Sequence, residues 1–185
     1  MNLILFGEPG VGKGTQAKNL CEKFGIPHIA TGDILRKAMG EGTSLGQEVA
    51  PYLGSGRLVP DACVSGLVVD RLNSEDCRAG FVLDGYPRTI PQVETLEAAL
   101  KEGGRKIDKV IFIEVPLEVL LQRVEGRGRV DDNLQTVKRR LVDYKNLTEP
   151  VKNDYASRNL LVAVDGLGTT EEVFERILAS LPQNS

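Results

Sequence analysis

A glycine-rich stretch after the first apolar run combines the residue types that bind phosphate groups. It reads Gly7-Glu8-Pro9-Gly10-Val11-Gly12-Lys13-Gly14-Thr15. Glycines let backbone amides turn inward around an anion, and the N-terminus of a following helix adds free N–H groups and a favourable dipole. A lysine can lie beside the outer phosphates, and a nearby hydroxyl can reach the shell of a magnesium ion. The stretch therefore predicts a P-loop, in which Gly7, Gly10, Gly12 and Gly14 shape an anion site beside Lys13 and Thr15.

One detail of this stretch departs from the general P-loop pattern. Ser or Thr normally follows the lysine directly, whereas here Gly14 intervenes between Lys13 and Thr15. A glycine-rich turn that only connects a strand to a helix is the alternative interpretation. The agreement in residue type, order and context favours the P-loop.

The segments on either side of the loop are those that a P-loop requires. Residues 3–6 form a continuous apolar run, and a helical pattern extends from near Gly14 toward Phe24. Other apolar runs are typical of strands buried on both faces of a parallel sheet, and they occupy 81–83, 110–113, 160–164 and, more weakly, 27–30. Amphipathic helical patterns separate these runs, with N-caps predicted at Asp61 and at Thr169 or Thr170. The alternation predicts an α/β fold, a doubly wound parallel five-stranded sheet flanked by helices.

Two segments fit this alternation poorly. One is a helical, glycine-punctuated stretch at about 31–58, and the other is rich in arginine and glycine at 123–133. Because neither follows the alternation of strands and helices, we interpret both as excursions, that is, segments inserted into a single domain that spans 1–185. We also interpret them as the moving parts of that domain.

Composition and charge exclude several other classes of protein. The formal net charge of -3 gives no indication of nucleic acid or of an anionic membrane as a partner. The first apolar run is too short for the core of a signal peptide, and no run is long enough to cross a bilayer. Cys21, Cys63 and Cys77 form no CxxC pair, and His28 is the only histidine, so neither a disulfide framework nor a structural zinc is expected. We therefore expect a soluble, cytoplasmic protein.

Beyond the P-loop, further motifs give nearly the whole chain a resemblance to the adenylate kinases, within the nucleoside-monophosphate kinase family. They are Thr31-Gly32-Asp33-Ile34-Leu35-Arg36, Leu58-Val59-Pro60-Asp61, Asp84-Gly85-Tyr86-Pro87-Arg88, Gly128-Arg129-Val130-Asp131-Asp132-Asn133 and Lys138-Arg139-Arg140-Leu141. The ending Lys13-Gly14-Thr15 is itself this family's form of the P-loop, which accounts for the departure noted above.

The resemblance implies two nucleotide sites and a set of transfer residues. The backbone of Gly168 would contact the base of ATP. The ATP phosphates would be held by Gly10, Val11, Gly12, Lys13, Gly14 and Thr15, together with Arg123. The AMP site would be formed by a monophosphate-binding lobe at about 30–59 and by residues after the strand at 81–83. Its implied residues are Thr31, Arg36, Arg57, Leu58, Val59, Gly85, Tyr86, Pro87, Arg88 and Gln92, joined by Arg129 and Arg140. The implied catalytic residues are Lys13, Arg88, Arg123, Arg129 and Arg140.

The resemblance also implies how metal and water are handled. Asp84, with Thr15, would order the water shell of a magnesium ion that arrives with ATP, so no direct protein ligand to a metal is expected. A short lid at about 122–133 would exclude water from the transferred group. This chain resembles the short-lid type, and the segment contains no cysteine, so no lid zinc is expected.

The chemistry of phosphoryl transfer agrees with this set of residues. Two polyanions must be brought into line, and charge spreads over the equatorial phosphate oxygens at the transition state. Arginine supplies permanently charged, bidentate donors for this purpose. A general base is unnecessary because the acceptor is already a phosphate oxygen. Catalysis would therefore consist of positioning and electrostatic stabilisation.

Several alternatives remain at the level of sequence. A uridylate-cytidylate kinase also has a short lid, but Thr31 and Gln92 offer donors and acceptors suited to adenine, which favours AMP. A switch that binds ATP alone would not need Arg36 and Arg88. A kinase for a sugar or shikimate-like acceptor would carry other polar groups at these motifs. We expect a monomer whose partners are ATP, AMP and ADP, while the roles of Arg127 and Arg139 and the choice between ATP and GTP stay open.

Overall fold

The computed structural model describes residues 1–126 and 134–182, except for the side chain of Leu134. Within them lies a five-stranded sheet in the order β2-β3-β1-β4-β5, and every neighbouring pair is parallel. The strands are β1 Asn2–Phe6, β2 His28–Ala30, β3 Phe81–Asp84, β4 Lys109–Glu114 and β5 Leu161–Asp165. The predicted fold class and all of the predicted strands, including the weaker one at 27–30, are confirmed.

The helices occupy the connections between the strands, as the alternating pattern predicts. They are α1 Lys13–Phe24, α2 Thr31–Gly40, α3 Ser44–Ser55, α4 Asp61–Leu72, α5 Ile90–Glu102, α6 Leu117–Glu125, α7 Leu134–Asp143, α8 Glu149–Ser157 and α9 Thr170–Ser180. A short 3-10 turn covers Glu75–Cys77, and a π-helical turn at Tyr144–Thr148 separates α7 from α8.

The sheet separates two apolar clusters, as expected for strands buried on both faces. Along β1, Ile4 and Phe6 belong to one cluster, whereas Leu3 and Leu5 belong to the other. Successive side chains of a strand point to opposite faces, so a strand covered on both sides must be apolar throughout. Residues of α4, α5 and α8 pack on the first face, and residues of α1, α6 and α9 pack on the second.

The strand order locates the crevice in which such sheets bind ligands. The central strand β1 pairs with β3 on one side and β4 on the other, and its register sets Leu5 opposite Asp84. From β1 the chain passes to β2 at one edge of the sheet, and from β3 it crosses β1 to reach β4 on the other side. The carboxyl ends of β1 and β3 therefore form a topological switch point. The P-loop and the residues after β3 therefore come together at this edge.

The helix ends agree with one cap prediction and correct the other. Thr169 is the N-cap of α9 and forms a capping box with Glu172. The N-cap predicted at Asp61 is wrong: Pro60 holds that position, and Asp61 is the first residue of α4. Its carboxylate bonds instead to the beginning of α5, because α4 packs against that helix.

The first excursion, at about 31–58, is built from α2 and α3, which pack closely against each other. Gly46 is buried at their contact, where a Cβ atom would stand 2.0 Å from the carbonyl oxygen of Ala38. Only a glycine fits this approach of the two backbones. The interpretation of this pair as a mobile, monophosphate-binding lobe remains a prediction.

Two further observations concern side chains and helix lengths. Cys21, Cys63 and Cys77 are all free thiols, and Cys77 is buried. Over residues 1–126 and 134–182, no helix is both long and apolar enough to cross a membrane.

Candidate active site

The P-loop connects β1 to α1 and leaves the beginning of that helix open. Gly10 and Gly12 have φ values of 103° and 102°, a region that glycine enters without strain. Gly12 is the N-cap of α1 and supplies no side-chain cap to the helix. The first N–H groups of a helix have no intrahelical partner, so the loop and helix together form an anion site.

Lys13 lies folded over this loop. Its Nζ donates hydrogen bonds to the carbonyl oxygens of Gly7 at 2.8 Å and Glu8 at 3.0 Å. The ammonium group is therefore held at the mouth of the anion site, within reach of a bound phosphate chain. The predicted contact of Lys13 with the β- and γ-phosphates stays a prediction.

Asp84 ends β3 beside the first turn of α1. A Cβ atom added to Gly14 would stand 3.6 Å from the Oδ2 atom of Asp84, so the carboxylate faces the P-loop helix. Burial alone would raise the pKa of Asp84, but the facing His28 ring and the positive charges of Lys13 and Arg88 offset it and lower the pKa below its ordinary value. The carboxylate is thus kept ionised beside the phosphate site.

His28 is the neighbour that the sequence interpretation did not connect with Asp84. Its Nε2 atom lies 3.5 Å from the Oδ2 atom of Asp84, which is too long for a good hydrogen bond. Nε2 is buried and has no other polar partner among the described residues. The ring therefore faces the Asp84 carboxylate without a well-formed hydrogen bond to it.

Arg88 lies next to the P-loop region, among the residues that follow β3. Its Nε donates to the carbonyl oxygen of Gly85 at 2.8 Å, in a turn where Gly85 has a φ of 83°. Burial lowers the pKa of Arg88, Asp84 raises it, and the guanidinium groups of Arg140 and Arg36 lower it again. Arginine stays charged in proteins, so these three guanidinium groups form a convergent positive site.

Thr31 and Gly85 lie directly beside Arg88. The Thr31 hydroxyl donates to the carbonyl oxygen of Asp84 at 3.3 Å. A Cβ atom at Gly85 would be 3.0 Å from the Thr31 Oγ1 atom and 3.1 Å from an Arg88 nitrogen. The absence of a side chain at Gly85 therefore lets these two groups face the same space.

Gln92 is buried behind this space with its carboxamide in contact with protein groups. Its Oε1 accepts a hydrogen bond from the Arg88 backbone N–H at 2.7 Å. Its Nε2 donates to Asp61 at 2.8 Å. Asp61 is a partner that the sequence analysis missed, because the two residues are distant in the chain and their pairing depends on how α4 meets α5.

Arg123 joins the P-loop to the loop that follows β5. Its guanidinium donates to the carbonyl oxygens of Val11 at 3.1 Å and Gly166 at 3.0 Å. Gly168, with a φ of 105°, follows in the same loop. Besides the P-loop itself, the resemblance assigns Arg123 and Gly168 to ATP. Both thus lie on one side of the P-loop.

A cleft of 660 Å³ at the carboxyl edge of the sheet brings the predicted residues together. Every predicted site residue within the described ranges lines it. They are Gly10, Val11, Gly12, Lys13, Gly14, Thr15, Thr31, Arg36, Arg57, Leu58, Val59, Asp84, Gly85, Tyr86, Pro87, Arg88, Gln92, Arg123, Arg140 and Gly168. Arg129 and Arg127 fall outside the described residues, as does most of the predicted lid. Arg139 is exposed and is not among the lining residues.

The cleft also contains residues that sequence reasoning did not assign to it. Tyr144 lines it from the π-helical turn after α7, and its hydroxyl is buried without a polar partner among the described residues. Burial raises the pKa of Tyr144. In the sequence, Val137, Leu141 and Tyr144 recur at helical spacing, a pattern that indicates only a core position. π-helical turns recur at functional sites, but spacing in the sequence does not reveal them.

The fold and the cleft define the class of P-loop phosphotransferases that act on two phosphorylated ligands. The P-loop supplies one anion-binding arrangement, and the guanidinium groups around Arg88 form a second positively charged group at the same edge of the sheet.

Comparison with known proteins identifies the family. The family profile described as adenylate kinase matches residues 5–160. An adenylate kinase of Methanosarcina mazei is 44% identical over 211 residues, covering 98% of each chain. One of Leptospira biflexa is 46% identical over 183 residues, covering 97% of this chain and 98% of the relative. One of Mycobacterium bovis is 46% identical over 181 residues, covering 98% and 99%. The chain belongs to the adenylate kinase family.

Proposed function

We propose that this adenylate kinase catalyses the reversible, magnesium-dependent reaction ATP + AMP = 2 ADP by positioning its substrates, without a general base. One observation carries the proposal. The P-loop lysine and a separate group of arginines, Arg36, Arg88 and Arg140, line the same cleft. An enzyme that transfers a phosphoryl group between two nucleotides needs a cationic site for each of them.

On the donor side, the P-loop amides and Lys13 hold the β- and γ-phosphates of ATP. Arg123 braces this site because it bonds to both Val11 and Gly166, and it turns toward phosphate when the nucleotide enters. Gly168 contacts the donor base through its backbone, which gives weak discrimination between ATP and GTP.

Magnesium enters as part of the Mg-ATP substrate. The Thr15 hydroxyl and the Asp84 carboxylate are oxygen donors of the kind that order a magnesium water shell, and both line the cleft. Within the described ranges, no group of three or more His, Cys, Asp or Glu side chains could hold a metal ion by itself. The donor set therefore fits a hydrated ion carried by phosphate, and we expect no zinc.

On the acceptor side, Arg36 and Arg88 bind the phosphate of AMP, and Thr31 and Gln92 face its adenine. Arg57, Leu58 and Val59, from the end of the α2–α3 segment, complete the pocket together with Gly85, Tyr86 and Pro87. The lobe at about 30–59 closes on AMP, and the lid at about 122–133 closes on ATP and excludes water.

In the transfer step, an oxygen of the AMP phosphate attacks the γ-phosphorus of ATP in line with the departing ADP. Lys13, Arg88, Arg123 and Arg140 neutralise the charge that spreads over the transferred group, with Arg129 added from the lid. A preorganised donor of this kind contributes about 3 kcal/mol to transition-state stabilisation. We expect the protein to act as a cytoplasmic monomer, without nucleic acid or membrane as a partner.

The test is to supply Mg-ADP as the only nucleotide. The proposal requires ATP and AMP to form in equal amounts until equilibrium is reached, which chromatography of the nucleotides measures. Formation of AMP and inorganic phosphate without ATP would indicate hydrolysis and would overturn it. The Lys13→Met variant should be slowed about 100-fold or more, since it lacks one charge at the transferred group.

A further inference from the structure

We infer that Asp61 is a positioning residue that fixes the orientation of the Gln92 carboxamide and thereby sets which purine base the acceptor site takes. The inference rests on the proposed function, in which Gln92 faces the base of the acceptor nucleotide. Asp61 itself does not line the cleft, so it acts through Gln92.

The contacts of Asp61 join the first turn of α4 to the first turn of α5. Its Oδ1 accepts a hydrogen bond from the Gln92 Nε2 at 2.8 Å. Its Oδ2 accepts one from the Thr89 hydroxyl at 2.7 Å. Thr89 is the N-cap of α5 and accepts in turn from the Gln92 backbone N–H at 3.3 Å. Both carboxylate oxygens are thus committed to the residues that present Gln92.

The chemistry of the two partners allows only one orientation of the Gln92 amide. The backbone N–H of Arg88 can only donate, and it lies 2.7 Å from the Gln92 Oε1. The carboxylate of Asp61 can only accept, so the amide nitrogen must face it. Rotating the carboxamide by half a turn would bring its NH₂ group against the Arg88 backbone N–H and its oxygen against the Asp61 carboxylate, so neither hydrogen bond could form.

A contact from Tyr86, which is linked to α4 through Ser65, also holds the backbone of Gln92. The Tyr86 hydroxyl donates to the Gln92 carbonyl oxygen at 3.1 Å, and it is 3.0 Å from the Ser65 hydroxyl. Ser65 lies one helical turn after Asp61, on the same side of α4. Gln92 is only 3% exposed, and it is held by hydrogen bonds at its backbone carbonyl oxygen and at both polar atoms of its side-chain amide. It is therefore a rigid reader of whatever base enters the cleft.

A fixed amide distinguishes adenine from hypoxanthine. After the two protein bonds, Gln92 retains one amide N–H and one oxygen lone pair. Adenine offers an amino donor and a ring-nitrogen acceptor side by side, whereas hypoxanthine, the base of IMP, offers a carbonyl acceptor and an N–H donor in the reverse order. An amide that cannot rotate matches only one of these patterns, and the other leaves polar groups unpaired.

The experiment compares kcat/KM for AMP and for IMP at saturating Mg-ATP in the full-length protein. Asp61→Ala should reduce the preference for AMP over IMP about tenfold, which corresponds to about 1.4 kcal/mol. Most of the change should appear in the KM for the monophosphate, and the KM for Mg-ATP should stay within about twofold of wild type. Asp61→Asn should keep most of the preference, because its amide oxygen can still accept from Gln92 and its nitrogen can donate to Thr89.

The control is Asp70→Ala, which makes the same change at an exposed residue of the same helix and should leave both ratios unaltered. Circular dichroism during heating shows whether each variant is folded. If Asp61→Ala does not fold, Asp61→Ser gives the same prediction, because its hydroxyl is too short to reach Gln92.

A double-mutant cycle separates positioning from general support of the helices. In a Gln92→Ala background, Asp61→Ala should have no further effect on the AMP-to-IMP ratio, because the group through which it acts is gone. The inference would be overturned if Asp61→Ala left the AMP-to-IMP ratio of kcat/KM unchanged, whether or not activity fell equally with both nucleotides. It would also be overturned if Asp61→Ala changed this ratio as much in the Gln92→Ala background as in wild type. Failure of the proposed function is distinct, since wild-type protein would then show no turnover with AMP at all.

Discussion

Arg88 illustrates how one side chain serves several requirements of the site. Its backbone N–H orients Gln92, its Nε is held by Gly85, and Thr148 donates to its carbonyl oxygen at 3.2 Å. The guanidinium is therefore held in place by the main-chain carbonyl group of Gly85. Such preorganisation is what makes a cation effective at a developing charge.

Replacing Arg88 by lysine should disable the acceptor site while leaving the donor site intact. Lysine keeps the charge but loses the planar, bidentate geometry and the bond from Nε to Gly85. We expect kcat/KM for AMP to fall about 100-fold or more, with the affinity for Mg-ATP nearly unchanged in titration calorimetry. Arg78→Lys, at an exposed residue outside the cleft, is the matched control. A loss shared equally by AMP and Mg-ATP would count against two separate phosphate sites.

Asp84 gives the site a defined response to acid. Its pKa is lowered in the folded protein, so its ionised form adds stability above the unfolded pKa of about 3.9, and that stability is lost as the pH falls through the folded pKa. Wild-type protein should therefore lose more unfolding free energy than Asp84→Asn when the pH is lowered from 7 to 3. Urea denaturation at several pH values measures the difference. Parallel curves for the two proteins would contradict the prediction.

The residues of the recognised motifs that line the cleft were predictable from the sequence. Residues whose contribution depends on packing or on an irregular helical turn were not. Lys13 and Arg88 occur in motifs with recognisable spacing, and both line the cleft. Asp61 belongs to one of these motifs, but its bond to Gln92 depends on the packing of α4 against α5. Tyr144 required knowledge of the π-helical turn, which no local pattern indicates.

At the scale of elements, the segment formed by α2 and α3 depends on how closely two helices approach. The helices of the core follow from hydrophobic periodicity, because burial of one face repeats with the helical turn. The strands follow from continuous apolar runs, because a strand buried on both faces is apolar throughout. The contact between α2 and α3 is instead determined by one buried glycine, Gly46. Helix packing of this kind is non-local and is not visible in the sequence before the structure is known.

Gly46→Ala should separate α2 from α3 and impair the acceptor lobe. The added methyl group would overlap the Ala38 carbonyl oxygen, so the two helices must move apart. We expect a loss of about 2 kcal/mol in unfolding free energy, as for overpacking of a core, and a higher KM for AMP. Gly54→Ala, in the same helix but with open space around it, should be neutral or slightly stabilising. Equal effects of the two substitutions on stability would refute this account of the packing.

For the whole molecule, the strand order explains why the two proposed nucleotide sites share one edge of the sheet. The chain passes from β1 toward β2 and β3 on one side, and then returns to form β4 and β5 on the other. The sequence indicated five parallel strands and the P-loop, but it did not indicate the strand order or the face that each helix covers. Those features depend on which strands pair across long stretches of chain, and an apolar run alone does not encode its partner.

The most direct test of the account is ADP formation from Mg-ATP with AMP, UMP, CMP or no acceptor, measured in parallel. We predict fast, reversible turnover with AMP, little with UMP or CMP, and almost none without an acceptor. Turnover with UMP or CMP in place of AMP would contradict the roles of Thr31 and Gln92 at the base. ADP formation that is independent of any acceptor would contradict the two-nucleotide mechanism and the roles proposed for Arg36 and Arg88.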